Sequence, residues 1–599
     1  MYAYLSNMTF YQRHSTSSSS YSPFLLFVIL AVALGLRLYH LDAHGIFFDE
    51  KSTMVVSQGI VLDGANQKDV FDKGKLVFTN EEFWREKQIP DYYEAMTRSD
   101  IGNSPFYYFL LHHWMNVFGI SDFSARMMSV LFSVLTVWLL FIFTRRFFQS
   151  ERLAFTAAAL AAIEPFFVAY SQQARNYSLT FFLTLLASYL FLRALEADNT
   201  NKPSLKWYAG YAITAFLGLY SHFLVASVLL AHGLYVLCCV RKLKSWIAFS
   251  FSGAFAVATL AWWFVYGGGQ NTLFSLNHQT KVYLECALNR PYNNPYGIIL
   301  PATFGNVVQK SIPMFTDLWV FTNGLMEHLA GKKNMILATL IGALLMVTYH
   351  FSQKKHPFAQ WLVIASVAIL GASSALYKDY TLGFWALSMA LFMTYLAVQT
   401  LISRTKNFPK SYLWFLVIIG IIPTAFLIFN AVRSGHTYGL MQRYSGFSFP
   451  YVTILASIAL WQLWESKTTI KWVITAILGI QLYFVIQTLQ TIYADRSIKY
   501  NYRNTPREPN PHYAAAQQAK VLYQKGDTVF LPAPMAHFDN PMDRTYLPYS
   551  VVDAQYFNLY LPKDRIFVQK LDTVNVNKIR LKKADGQLIE LIDLKGKRY

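Results

Sequence analysis

Cysteine and charge are what this 599-residue chain most lacks. Its three cysteines, Cys238, Cys239 and Cys286, form no C-x-x-C pair and no framework, so neither a zinc site nor a disulfide scaffold is indicated. Charged residues make up 14% of the chain, against roughly 25% in an ordinary soluble domain. Acids are scarcer than bases, 33 against 52. No basic run is long enough to support a nucleic-acid partner, and in a membrane chain Lys and Arg collect in cytoplasmic loops. The apolar run that opens at Pro23 is too long for a signal peptide and no small-residue cleavage site follows it, so it reads as a retained span. No internal repeat is visible, which counts against the repeat-built transporter folds.

Hydrophobic runs are what the chain has instead, at 54% hydrophobic residues. They predict a polytopic α-helical membrane protein with about thirteen spans. These fall near 23–41, 122–144, 152–170, 177–194, 207–224, 225–240, 245–266, 334–351, 358–376, 380–402, 411–431, 450–465 and 471–490. Short basic loops at 144–152, 240–245, 352–357, 403–410 and 465–471 alternate to one side, which the positive-inside rule makes the cytoplasm, together with the polar tail 1–22. The opposite face then receives the loops 42–121 and 267–333, the turns near 171–176 and 432–449, and everything after 490. The first of these loops is richer in acids than in bases, the reverse of the whole chain, so the basic excess implies no acidic partner on that face. Beyond residue 495 a proline-rich stretch leads to "AAAQQAKVLYQKGDTVFLPAP", a helix, a Gly-Asp turn and a strand, and "DRIFVQKL" and "GQLIELIDL" alternate as strands do. A small extracytoplasmic α/β domain over 495–599 is expected.

Candidate chemistry gathers on that outer face. "GIFFDEKST" places Asp49 and Glu50 directly after the first span, either as a solvated pair opening an interfacial helix or as a general base poised at the membrane surface. "EPFFVAYSQQARNYSL" puts Arg175 at an outer turn, where it either snorkels or pairs with Glu164, or meets a lipid phosphate. "YSHFL" sets His222 at the outer end of a span, and "HTYGLMQRYSGFSFP" sets Arg443 and Tyr444 at another, with Arg433 nearby. The adjacent His112 and His113 point about 100° apart on a helix and do not readily share a metal. One carboxylate facing several cations suits chemistry that expels a phosphate.

The ordered set "LRLYHLDAHGIFFDE", "NSPFYYFLLHHWMNVFGISDFSARMMSVLFSVL", "IEPFFVAYSQQARNYSLTFFLTLLASYLFLRAL", "YSHFL" and "RYSGFSFP" resembles bacterial membrane glycosyltransferases of family 39 over roughly residues 23–490. These are relatives of the dolichyl-phosphate-mannose protein mannosyltransferases and of the lipid A aminoarabinose transferase, and share the GT-C fold. The resemblance implies transfer of a sugar, with inversion, from a polyprenyl-phosphate donor to a lipid, glycan or protein acceptor outside the inner membrane. It makes Asp49 the catalytic base and Glu50 a second acidic group, and it offers Arg175, Arg443 and His222 as donor-phosphate contacts. It names no certain cofactor, and a divalent cation is left open. Two departures stand out: Ser104 precedes Pro105 where a double proline is usual, and Lys51 follows the acidic pair. The alternatives are a multi-span transporter or lipid flippase with an outer domain, and a glycan polymerase or ligase with a diphosphate-linked donor. A transporter would be expected to carry ionisable groups near the midplane rather than at the outer ends of spans.

Overall fold

The computed structural model describes residues 23–596 apart from 65–69, 72–73, 100–103, 290–298, 319–331, most of 354–408, 466–467, 498, 501–505 and 536–546. The predicted tail 1–22, much of the spans 358–376 and 380–402 and most of the basic loops 352–357 and 403–410 lie outside the described residues. Among the described residues, five helices are long and apolar enough to cross a membrane: Asp122–Phe148, Tyr177–Asn199, Leu243–Tyr266, Lys410–Ser434 and Ile474–Tyr493. The shorter apolar helices Pro23–Leu38, Val225–Cys239, Ile336–Phe351 and Phe449–Trp464 accompany them. The protein is an integral membrane protein.

Local signals set the helix ends. Ser121 Oγ accepts the Ser124 N–H at 3.0 Å and caps Asp122–Phe148, whose first turn carries Asp122 and whose last carries Arg145 and Arg146, matching the helix dipole at both ends. Ser150 likewise caps the following helix through the Leu153 N–H. The core these helices share is built largely of Phe and Ala: Phe143 and Phe147 from one helix, Ala154, Ala158 and Ala161 from the next, and Phe181 and Phe191 from a third are all buried.

The run read as a single span over 152–170 is two helices, Glu151–Ile163 and Pro165–Ser171, bent by 55°. Pro165 has no N–H, so the carbonyl of Ala161 loses its helical donor. A cation from the first helix takes its place. Arg37 is 0% exposed; it donates to Ala161 O at 3.2 Å and to Ala162 O at 2.9 Å, and its Nε reaches Ser133 Oγ at 2.8 Å. The side chain of Glu164 then starts the second helix by accepting the Phe166 N–H.

The segment after residue 527 and the loop that follows the first helix form one mixed sheet in the order β1-β3-β2-β4-β5. The strands are β1 Val77–Thr79, β2 Thr528–Pro532, β3 Val568–Asp572, β4 Lys578–Lys582 and β5 Leu588–Asp593. β3 lies parallel to β2 and antiparallel to β1, and β4 and β5 pair as a hairpin. Gly586 turns that hairpin at a φ of 95°, a backbone angle that an L side chain resists. The helices Pro511–Leu522 and Val552–Leu559 cover the sheet, and Ala515, Val529, Leu571 and Tyr556 share one apolar cluster with Met54, Val55 and Phe78 of the first loop. Backbone contact seals the junction: the Gly45 N–H donates to Glu508 O at 3.0 Å, and a Cβ on Gly45 would stand 2.5 Å from that oxygen.

Candidate active site at the ends of the helices

The helix Phe48–Ser57 opens with the acidic pair. Residues two apart on a helix face away from each other and neighbours diverge by about 100°, so Asp49, Glu50 and Lys51 must meet three different environments.

Glu50 faces inward and is 0% exposed. Arg126 Nε and Nη2 donate to its two oxygens at 2.8 and 2.9 Å, a bidentate pair. Arg126 also donates to the carbonyls of Leu41 and His44 at 2.7 and 2.8 Å. The Ala174 N–H reaches Glu50 Oε1 at 2.8 Å, the Phe47 N–H reaches Oε2 at 3.1 Å, and Arg507 stands 3.3 Å from the same oxygen. Arg507 in turn pairs with Asp495 at 2.8 Å. Burial alone would raise the Glu50 carboxyl; the two guanidiniums and the Ala174 N–H outweigh it and hold the group below the ordinary carboxylate range. Two acids and two arginines make this inner network neutral, and it fixes the first turn of the helix against the turn that carries Arg175.

Asp49 faces the other way. Its carboxylate lies 3.6 Å from Arg443, with side-chain exposures of 22% and 12% for acid and base. Arg175 reaches the same turn from beside the kinked helix pair, donating to Asp49 O at 3.2 Å and to Thr53 Oγ1 at 2.7 Å. The Thr53 hydroxyl donates to Asp49 O at 2.7 Å, so one carbonyl ties threonine and arginine together. His222 caps the helix Leu205–Ser221 and accepts the Leu224 N–H at Nδ1, leaving Nε2 as the donor of the neutral ring. Its ring lies about 6 Å from Tyr177, Tyr444 and Phe447, and the Arg443 guanidinium stacks over Tyr444 at 5.0 Å. Asp49, Arg175 and Arg443 therefore form one cluster with a formal charge of one positive unit, and His222 stands one ring away.

The remaining sequence candidates lie elsewhere. Arg433 is exposed on the last turn of its helix. His112 holds Ser57 O at 3.0 Å and Asn116 at 2.8 Å, so it braces the acidic-pair helix from behind. Lys51 is buried against the helix Val552–Leu559, with its ammonium 4.8 Å from the Tyr556 ring. Sequence reasoning left Arg126 without a role and missed Arg507, as well as the pair Lys499–Asp317, joined at 2.5 Å beside Tyr500. Among the described residues no three His, Cys, Asp or Glu side chains come together as a metal site would require.

Residues 102–265 match the family model described as dolichyl-phosphate-mannose-protein mannosyltransferase. The likeness to the GT-C membrane glycosyltransferases read from the sequence is thus borne out over a stretch that holds Arg126, Arg175 and His222. No curated protein sequence matches the chain. Among solved structures it is similar to ArnT from Cupriavidus metallidurans bound to undecaprenyl phosphate, at 14% identity and a TM-score of 0.38 over 92% of this chain and 90% of that one. It is also similar to the Archaeoglobus fulgidus oligosaccharyltransferase in complex with zinc and sulfate, at 14% identity and a TM-score of 0.40 over 84% of this chain and 56% of that one. A third similar structure is the arabinosyltransferase EmbB from Mycobacterium smegmatis, at 11% identity and a TM-score of 0.31 over 82% of this chain and 44% of that one.

Proposed function

We propose that the chain is an inverting glycosyltransferase that moves a sugar from a polyprenyl-phosphate donor to an acceptor hydroxyl or phosphate at the outer face of the inner membrane. The observation that carries this reading is the Asp49 carboxylate set against Arg443, with Arg175 on the same turn. The family match over 102–265 supports the donor class. For a hydroxyl acceptor, Asp49 takes the proton as the acceptor oxygen attacks the anomeric carbon from the face opposite the phosphate. The bond from that carbon to the phosphate oxygen breaks, the electron pair leaves with the phosphate, and the two guanidiniums stabilise the added charge. His222 Nε2 offers a further donor to the same phosphate. Asp49 keeps the proton until solvent removes it.

In this reading residues 23–490 form the catalytic membrane domain with about thirteen spans. The loops 42–121 and 267–333 and the unit 495–599 lie outside the cell membrane. Glu50 serves the site by holding Asp49 and Arg175 in register rather than by touching substrate.

Supplying membranes that contain the protein with labelled polyprenyl-phosphate sugars and weighing the products tests the reading. Formation of a new glycosidic bond with release of polyprenyl phosphate is expected. Movement of the labelled lipid across the bilayer with no bond formed would sink it in favour of a flippase.

A further inference from the structure

A groove of about 910 Å³ runs between the helices Leu205–Ser221 and Leu243–Tyr266, away from the cluster described above. Leu205, Tyr208, Ala212, Ile247, Phe251 and Phe255 line it, and Ser204 and Lys244 stand at one end. Its apolar walls face outward: Leu205 is 80% exposed, Phe251 73% and Phe255 47%. The stretch from Lys244 to Phe255 rises about 16 Å at 1.5 Å per residue. That is close to one leaflet of a hydrocarbon core about 30 Å thick.

Cations crowd the end marked by Ser204 and Lys244. Lys202, Lys206, Arg241, Lys242 and Lys244 are all exposed there. The acids beside them are already engaged. Asp198 is 3% exposed and receives Lys244 at 2.9 Å, the Tyr208 hydroxyl at 2.6 Å and the Ser245 hydroxyl at 2.8 Å. Glu196 is held by Arg146 at 2.5 Å and Arg193 at 3.2 Å. Positive charge thus remains in excess at the mouth of an apolar slot one leaflet deep.

We infer that this groove binds an anionic phospholipid of the cytoplasmic leaflet. One acyl chain lies against Tyr208, Ala212, Ile247 and Phe251, and the phosphate sits among Lys206, Arg241 and Lys244. The groove's end at Phe255 fits a chain of ordinary acyl length rather than a polyprenyl carrier that traverses the bilayer. The choice of leaflet rests on the orientation proposed above; the binding itself does not depend on sugar transfer.

Native mass spectrometry of the full-length protein, washed and then supplied with phosphatidylglycerol or phosphatidylcholine, reads the site directly. Retention of phosphatidylglycerol at least fivefold above phosphatidylcholine is expected. Lys206→Gln with Arg241→Gln should bring the two lipids near parity, and Ala212→Trp should fill the slot and reduce retention of both. Equal retention of the two lipids by the unaltered protein, or an unchanged preference in the double variant, would overturn the inference. A second copy of the chain retained in place of lipid would do the same. If Ala212→Trp fails to fold, the exposed double variant decides alone. Sugar transfer assayed in parallel separates the two proposals: transfer without lipid preference rejects only this one, and preference without transfer rejects only the other.

Discussion

Asp49 and Glu50 are consecutive residues on one helix, yet Arg443 meets the first at 3.6 Å and Arg126 meets the second at 2.8 Å from the opposite side. The geometry assigns different work to two identical functional groups. Glu50 and Arg126 are both buried and belong to a charge-neutral lattice, whereas Asp49 sits in a cluster with excess positive charge. Substituting the two acids should therefore give opposite phenotypes.

Asp49→Asn keeps the shape of the side chain and removes the proton acceptor. Turnover should fall by at least a hundredfold, within the usual contribution of general base catalysis, while donor binding and thermal stability hold. A transfer assay beside a donor-binding titration measures both, and near-normal turnover would exclude Asp49 as the base.

Glu50→Gln leaves Arg126 buried without its counter-ion. Breaking a buried pair this way costs about 3–5 kcal/mol, so the loss should appear first as a lower melting temperature and lower membrane abundance. Arg126→Gln should show the same deficit, and a double substitution should cost less than the sum of the two.

Acid should expose the same lattice. Because the folded state lowers the Glu50 pKa, its contribution to stability is full above the unfolded value near 4.5 and drains away as pH falls through the folded value. Melting temperatures recorded from pH 6 down to pH 3 should fall for the unaltered protein, with a shallower slope below pH 4.5 for Glu50→Gln. Parallel slopes would show that other groups govern acid unfolding.

Arg443→Gln removes a partner of Asp49 and a contact proposed for the donor phosphate. Charged hydrogen bonds are worth about 1.5–3 kcal/mol, which corresponds to a loss of donor affinity of about tenfold to a hundredfold. Arg175→Gln should lose comparable affinity and also loosen the acidic turn, because its guanidinium holds Asp49 O and Thr53 Oγ1 together. Arg175→Lys should recover less than Arg443→Lys, since a single ammonium reproduces the two-point anchor poorly.

At the kink, Arg37→Met should destabilise the protein by leaving the carbonyls of Ala161 and Ala162 without this donor. Pro165→Ala restores an N–H that can reach Ala161 O and should recover part of the loss. A thermal-melt double-mutant cycle should show coupling above about 0.5 kcal/mol; strict additivity would separate the arginine from the proline.

The members of the site that announce themselves in the sequence are those at the ends of hydrophobic runs. Asp49, Arg175, His222 and Arg443 are polar interruptions in apolar text, and hydropathy with loop charge places them on one face. Their supporting partners carry no such mark. Arg126 lies inside a predicted span, and Arg507 lies in a proline-rich stretch that reads as a connector, 457 residues from the Glu50 it reaches. The bend at Pro165 escaped because a hydropathy window averages across a proline that the backbone cannot ignore. Lys51 is an unexplained departure beside the acidic pair in the sequence, and the structure puts it against Tyr556, a contact between distant segments with no local signal. β1 is three residues long in an acid-rich loop, too short for alternation to reveal.

β1 also sets a clock. The strand leaves the ribosome well before its partner β3 and the arginine that steadies Glu50, both of which follow the membrane helices in the chain. The helix bearing Asp49 thus reaches its final setting only after β3 and Arg507 have been made. Until those later segments arrive, Asp49 stands on an unbraced turn, so the setting of that carboxylate depends on segments made after the membrane helices.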